Sequence, residues 1–500
     1  MARPPPRPSR TPRPLRLPLI TLAMAGGTGL MLVPAAHALA QGDHATARGF
    51  FYSAVLCGFL TLLVALALRG RAGRGTAREQ LVALFVAYGL LPVLLALPFA
   101  ALAPGATPLR AWFEMVSSIT TTGATLWDRT AELGLTLHLW RGLVGWYGGL
   151  IAWVAAIAIL APLNLGGYEM RSRAALPPVA LADAVGPAEL LTRALGRLVP
   201  VYAGLTAVLW LGLVLGGDGA TVGAIHAMGV ISTSGITPLA YADYAASGFA
   251  GELAVFVFFV FALSRATFAR PRPAPPPWRD TELRLGLRLI LVVAGVVLLR
   301  ALWLVHDGGG GLSAGLRAAW GVLFTCASFL TTTGLESRWW PGIWNNAGVP
   351  VPGLVLIALA LVGGGVGTAA GGVKLLRIHE VLAHAGRETL RLIEPASVAR
   401  PAAGRGTIMA WTFFALFALS ALIVMGMLSL APGMQFEGVI LVSLAAITTT
   451  GQLVLVAADS PISFDGLTPA AQVIAALAMI LGRLEVLALI ALLNPGFWRR

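Results

Sequence analysis

Four short polar stretches constrain this chain more than any other feature. Ser117–Thr125 carries Thr120-Thr121-Thr122-Gly123, and related versions follow as Ser232-Thr233-Ser234-Gly235, Thr331-Thr332-Thr333-Gly334 and Thr448-Thr449-Thr450-Gly451. The stretch recurs about every hundred residues, and repetition at a steady period speaks about the whole fold. Each copy follows a short apolar segment and lies between two longer apolar runs.

Those runs decide the setting. The 500 residues are 57% hydrophobic and 11% charged, against about 25% charged in soluble domains. Several runs reach the roughly 20 residues needed to cross a bilayer, so the predicted class is an all-α polytopic membrane protein. The formal charge of +13 could suit nucleic acid, but its distribution excludes that partner. The basic residues cluster in alternate connections between apolar runs, as the positive-inside pattern requires. Cys57 and Cys326 fall in apolar stretches and suggest no disulfide framework. The histidines have no metal-ligand spacing.

The repeat divides the chain. Residues 1–14 form a basic, Pro-rich N-terminus expected to be disordered. Residues 15–78 form a two-helix hairpin with apolar runs at 15–40 and 50–68. Ala36-His37-Ala38 resembles a signal cleavage site, but the run before it is long for a signal peptide, which favours a retained span. Four units then read span, short half-helix, polar loop, span, over residues 79–175, 176–275, 276–400 and 401–500. The half-helices are placed at 109–119, 221–231, 312–330 and 436–447. In the third unit the second span is expected over 350–376.

Arg171, Arg173, Arg193, Arg197, Arg265, Arg270, Arg272, Arg279, Arg377, Arg387, Arg391, Arg400 and Arg405 all lie between units, which predicts cytoplasmic connections and cytoplasmic termini. The four loops then enter from outside, where Asp128, Glu132, Asp218, Asp243, Glu336, Asp459 and Asp465 gather. Shared sidedness suggests an acidic vestibule that concentrates cations; ordinary loop solvation is the alternative for any single carboxylate.

Irregular backbone cannot face lipid, because its unpaired amides would each cost several kcal/mol. Four such loops can instead complete a ring within one chain, its carbonyls replacing the hydration shell of an alkali cation. The predicted ion ligands are Thr121, Thr122, Gly123, Thr233, Ser234, Gly235, Thr332, Thr333, Gly334, Thr449, Thr450 and Gly451. Threonine adds a hydroxyl oxygen, and no carboxylate sits inside a loop. Glu114, just ahead of the first loop, is expected to brace it.

At these residues the chain resembles the TrkH/Ktr/HKT superfamily of potassium transporters, the TrkH branch most closely. Phe113-Glu114 with Ser117–Thr125 is similar to that family's first pore loop. The run Gly363–Lys374 is similar to its glycine-rich segment, and Leu481-Gly482-Arg483-Leu484-Glu485 to the signature of its last span. The resemblance implies potassium uptake through the bacterial inner membrane, a homodimer, and a separate cytosolic nucleotide-binding regulatory subunit of the TrkA type. It implies no bound cofactor other than the transported K+. Two departures stand out. The fourth loop continues Gly451-Gln452-Leu453 where an asparagine-rich sequence is usual, and Thr368-Ala369-Ala370 replaces the common Ser-Thr-Gly.

Gly363, Gly364, Gly365, Gly367, Gly371 and Gly372 crowd one apolar span. Each glycine costs a helix interior about 1 kcal/mol relative to alanine, so the run should break. The resemblance makes it a gate loop below the filter, ending in Lys374 and Arg377 near the cytoplasmic surface; close helix packing through small residues is the alternative. Arg483 is a charge inside an apolar run. By resemblance it points into the pore as an electrostatic barrier; a structural ion pair or a snorkelling side chain fits equally.

Two rivals remain open. A sodium-permeable or proton-coupled carrier would need inverted repeats and an intramembrane carboxylate, for which Glu485 is the one strong candidate. A membrane enzyme would need a nucleophile–base pair or a clustered His/Asp/Glu set, and the spans offer neither.

Overall fold

A computed structural model describes residues 19–68, 77–127, 130–163, 165, 167–168, 187–238, 246–268, 276–307, 312–347, 349–393, 405–458 and 460–484. The N-terminal tail, Asp128, Asp243, Asp459, Glu485 and many of the linker arginines lie outside these residues. Every regular element among the described residues is helical. Among the described residues, eight helices are long and apolar enough to cross a membrane. The protein is an all-α polytopic membrane protein. Its spans turn apolar side chains outward, as lipid allows: Leu291, Val292, Val296 and Leu299 are all exposed on one helix.

The N-terminal hairpin comprises Leu19–Leu30, Leu32–Ala40 and His44–Ala67. Asp43 starts its second arm by accepting the Thr46 amide at 3.0 Å, a side-chain N-cap. The four pore helices are Pro108–Ile119, Ala220–Ile231, Leu312–Leu330 and Phe436–Ile447. Thr107 caps the first by accepting the Arg110 amide, and Pro108 at the first helical position needs no partner for its nitrogen.

The units close on themselves. Leu135–Ala155, the second span of unit one, packs on the pore helix of unit two. Gly248–Phe258 of unit two packs on the pore helix of unit three, and Gly353–Val362 of unit three on the turn after the fourth loop. Pro469–Leu484 of unit four returns to the pore helix of unit one. Four tandem units therefore form a ring within one chain.

The span over 350–376 breaks at the glycine run, as its composition predicts. Its helix ends at Val362, Gly363 adopts φ 71°, and the chain runs as an irregular loop until the amphipathic helix Leu375–Ile393 begins. The glycine run breaks the helix instead of packing it. Lys374 and Arg377, at the end of this loop, are both buried within the protein. The backbone turns at Lys374 with φ 85°, directing its ammonium inward to the Ala370 carbonyl. The Arg377 guanidinium lies 3.5 Å over the Phe413 ring, a cation–π contact that suits a buried charge.

Candidate functional site

Each pore helix ends at the first hydroxyl residue of its loop. Thr120, Ser232, Thr331 and Thr448 donate that hydroxyl to the carbonyl four residues back, at 2.7, 2.7, 3.0 and 2.7 Å. The same hydroxyl meets the one two residues ahead, on Thr122, Ser234, Thr333 and Thr450, at 2.9, 2.9, 3.1 and 3.3 Å. This brace leaves the middle residue to make the turn. Thr121, Thr233, Thr332 and Thr449 have φ of 55°, 57°, 56° and 53°. A β-branched residue in the left-handed region is a genuine outlier, and such strain persists only where the surroundings impose it. The sequence repeat is thus a repeat of one strained backbone.

In three loops the amides then point back to their own helix. The Thr122 and Gly123 amides donate to Ser117, those of Ser234 and Gly235 to Gly229, and those of Thr333 and Gly334 to Ser328, at 2.9–3.3 Å. The carbonyls of Thr122 and Gly235 instead accept from the fourth loop. Among the described residues no donor reaches the carbonyls of Ser234 or Thr333. The loops abut in order. A Cβ on Gly123 would strike the Ser234 carbonyl oxygen, and one on Gly235 the Thr333 carbonyl oxygen. Gly334 lies against Gln452 and Gly451 against Ala124, which closes the circle. All twelve predicted filter residues come together in this ring.

The fourth loop departs from the other three. Gly451 does not adopt a positive φ, and its amide donates to the Thr122 carbonyl of the first loop at 2.7 Å. Gln452 Nε2 donates to the Gly235 carbonyl of the second loop at 2.8 Å. A helical turn, Leu453–Val456, follows at once.

Buried charges fix the ring from behind. Glu114 Oε1 pairs with Arg141 Nε at 2.5 Å, and Glu114 Oε2 accepts the Leu126 amide at 3.1 Å, so this carboxylate ties the segment after the first loop to the next span. Glu252 does the same for the third loop. It accepts Trp320 Nε1 at 2.7 Å, the Ser337 hydroxyl at 3.0 Å and the Arg338 amide at 2.8 Å. Glu282 accepts the Val366 amide of the glycine loop at 2.6 Å. Glu485 lies outside the described residues; Glu114, Glu252 and Glu282 are all buried. Each is committed to structural hydrogen bonds. Arg141 and Glu252 were legible as lone charges inside apolar helices, the signal that singled out Arg483.

The glycine loop lies against the Thr121 side of the ring. The Gly371 amide donates to Thr332 Oγ1 at 2.8 Å, and a Cβ on Gly371 would collide with the Thr448 carbonyl. Gly363, Gly367 and Gly372 take positive φ, while Gly364 and Gly365 press against the carbonyls of Ala262 and Leu263. Arg483 binds both parts. Its Nε donates to the Thr120 carbonyl at 2.7 Å and its Nη1 to the Ala369 carbonyl at 2.6 Å. Nη2 donates to Thr121 Oγ1, and to Thr449 Oγ1 at 3.2 Å. Gly482 positions it, since a Cβ there would meet the Ile447 carbonyl. The predicted gate residues and the predicted filter are thus in direct contact.

No family model matches the sequence. The chain is similar over nearly its whole length to the Trk system potassium uptake protein TrkH of Halomonas elongata, at 28% identity, covering 96% of this chain and 92% of that protein. It is also 28% identical to the TrkH of Escherichia coli K12, covering 94% and 96%. The relatives over most of the chain's length are thus TrkH-type potassium uptake proteins. The crystal structure of the potassium transporter TrkH from Vibrio parahaemolyticus has the same fold, with a TM-score of 0.80 at 24% identity, covering 96% of this chain and 98% of that one.

The two sides of the ring differ in open volume. On the glycine side a cavity of about 410 Å³ is lined by Gly123, Arg141, Glu336, Gly451 and Gln452 among others. On the Thr121 side, between the glycine loop and Arg483, the cavity is about 40 Å³. Burial raises the Glu336 carboxyl to about 7. Of the described acidic residues expected on the outer side, Glu336 lines the glycine-side cavity. Asp465 pairs with Arg110 at 2.6 Å, Asp218 accepts the Ser247 amide at 2.7 Å, and Glu132 is exposed. Among the described residues no group of three or more His, Cys, Asp or Glu could hold a metal ion.

Proposed function

We propose that this chain carries K+ into the cell across the bacterial inner membrane. The observation that supports this most is the cyclic contact of four loops whose backbones repeat one strained turn, with no donor among the described residues on the Ser234 and Thr333 carbonyls. Neutral carbonyl and hydroxyl oxygens suit a large monovalent cation. The names of the relatives, all potassium uptake proteins, agree with it.

In this reading the glycine side of the ring is the outer mouth, and the cavity above it receives K+. The glycine loop and Arg483 form the closed gate on the cytoplasmic side. Arg483 contributes twice: its charge repels a cation below the filter, and its bonds hold the loop shut. A homodimer with a cytosolic nucleotide-binding subunit would supply the energy to displace the loop. No chemical transformation is assigned to the chain.

The experiment is growth of a strain without K+ uptake systems on low K+. Expression of the chain with its cognate cytosolic subunit restores growth, and Gly235→Ala does not. Absence of rescue, together with no K+ flux in proteoliposomes, overturns the proposal.

A further inference from the structure

Gln452 is where the fourth loop breaks the pattern. The residues that follow the filter glycine in the other loops are Ala124, Ile236 and Leu335; none has a side-chain donor. Gln452 does, and its side chain lies across the ring. Nε2 donates to the Gly235 carbonyl at 2.8 Å. That nitrogen is 3.2 Å from where a Cβ would stand on either Gly123 or Gly235. Its own Cβ and Cγ would lie 2.9 and 3.1 Å from a Cβ on Gly334. One side chain therefore touches the glycines of all three other loops.

It sits at the floor of the 410 Å³ cavity and is only 5% exposed. The backbone beneath it is fixed, because the Gly451 amide is held by Thr122. Rotation about the side-chain bonds of Gln452 is the freedom that remains, and the cavity gives it room.

We propose that Gln452 is a tethered competitor for the transported cation at the glycine end of the filter. Its amide hydrogen takes the Gly235 carbonyl that a cation shedding water would use. A cation enters by displacing the amide, which swings into the cavity and gives the carbonyl back. The amide thereby sets the apparent affinity for K+ and links loops two and four when K+ is scarce. This inference rests on the transport reading above.

The test is the concentration dependence of K+ flux into proteoliposomes for the full chain, Gln452→Met and Gln452→Glu. Methionine keeps the length and packing but has no donor; glutamate cannot donate to a carbonyl when ionised and adds a charge to the cavity. A neutral hydrogen bond contributes a net of about 1 kcal/mol, so its loss corresponds to a fall of about three- to tenfold in half-saturating K+. Calorimetric K+ titration of the same detergent-purified proteins reads the shift without transport. Half-saturation that is unchanged or raised in both variants, with the parent carrying K+, overturns the inference alone. A parent that carries no K+ and binds none overturns the transport reading and this inference with it.

Discussion

Arg483 and Ala369 are joined by a 2.6 Å hydrogen bond from guanidinium to carbonyl, so the helix Pro469–Leu484 holds the glycine loop directly. The same guanidinium reaches Thr120 and Thr449 of two filter loops. A single side chain thus links the four-loop ring to the glycine loop. Hydrogen bonds to charged groups are worth roughly 1.5–3 kcal/mol each. Losing one such bond from the closed state shifts the gate toward open by about tenfold or more. Arg483→Ala should raise K+ leak through proteoliposomes without the cytosolic subunit. Arg483→Lys, which cannot make the forked contacts, should fall between. Unchanged leak in both removes Arg483 from the gate.

Gly235 cannot accept a side chain. Its φ is 58°, and a Cβ would overlap the Thr333 carbonyl. Gly235→Ala should abolish K+ transport while the protein still reaches the membrane, as immunoblotting of membranes against uptake would show. Gly212, which has open space around it, serves as the control: Gly212→Ala should leave uptake unchanged.

The Glu114–Arg141 pair is nearly inaccessible, with side chains 0% and 3% exposed. Removing one partner of a buried pair costs roughly 3–5 kcal/mol, because the other charge is stranded. Arg141→Met should lower the thermal midpoint of the purified protein sharply. Adding Glu114→Gln should restore part of the loss. Equal losses in the single and double variants would deny the coupling.

How much of this was legible follows from where the information lies. The fourth pore helix, Phe436–Ile447, and the break at Gly363 could be read directly, because residue pattern and glycine content act locally. The strained threonines could be located by their repetition. The burial of Lys374 could not be foreseen, since a lysine near a basic cluster reads as surface until a positive φ turns it inward. Asp218 and Asp465 were grouped by sidedness, but their partners Ser247 and Arg110 are distant in sequence. Gln452 stood out as a departure, yet its contact with Gly235 exists only once the ring has closed.

Glu336 should give the transport a pH dependence. Its carboxyl lines the cavity on the glycine side of the ring, and burial, which opposes its charge, pushes its pKa up to about 7. Above that pH the carboxylate attracts cations, so K+ uptake at limiting K+ should rise as external pH increases through about 7. The effect on stability has the opposite sign. The folded protein holds this proton more tightly than the unfolded chain, so the stabilisation is complete at low pH and is lost as pH rises through about 7. Glu336→Gln should flatten both profiles, read by uptake and by thermal midpoints from pH 5.5 to 8.

Whether the four-loop ring conducts K+ is read from cation flux into proteoliposomes containing only this chain and its cytosolic subunit. K+ flux should exceed that of protein-free vesicles, exceed Na+ flux, and vanish in Gly235→Ala. Flux equal to protein-free vesicles, or flux that survives Gly235→Ala unchanged, would mean that the ring is not a K+ path.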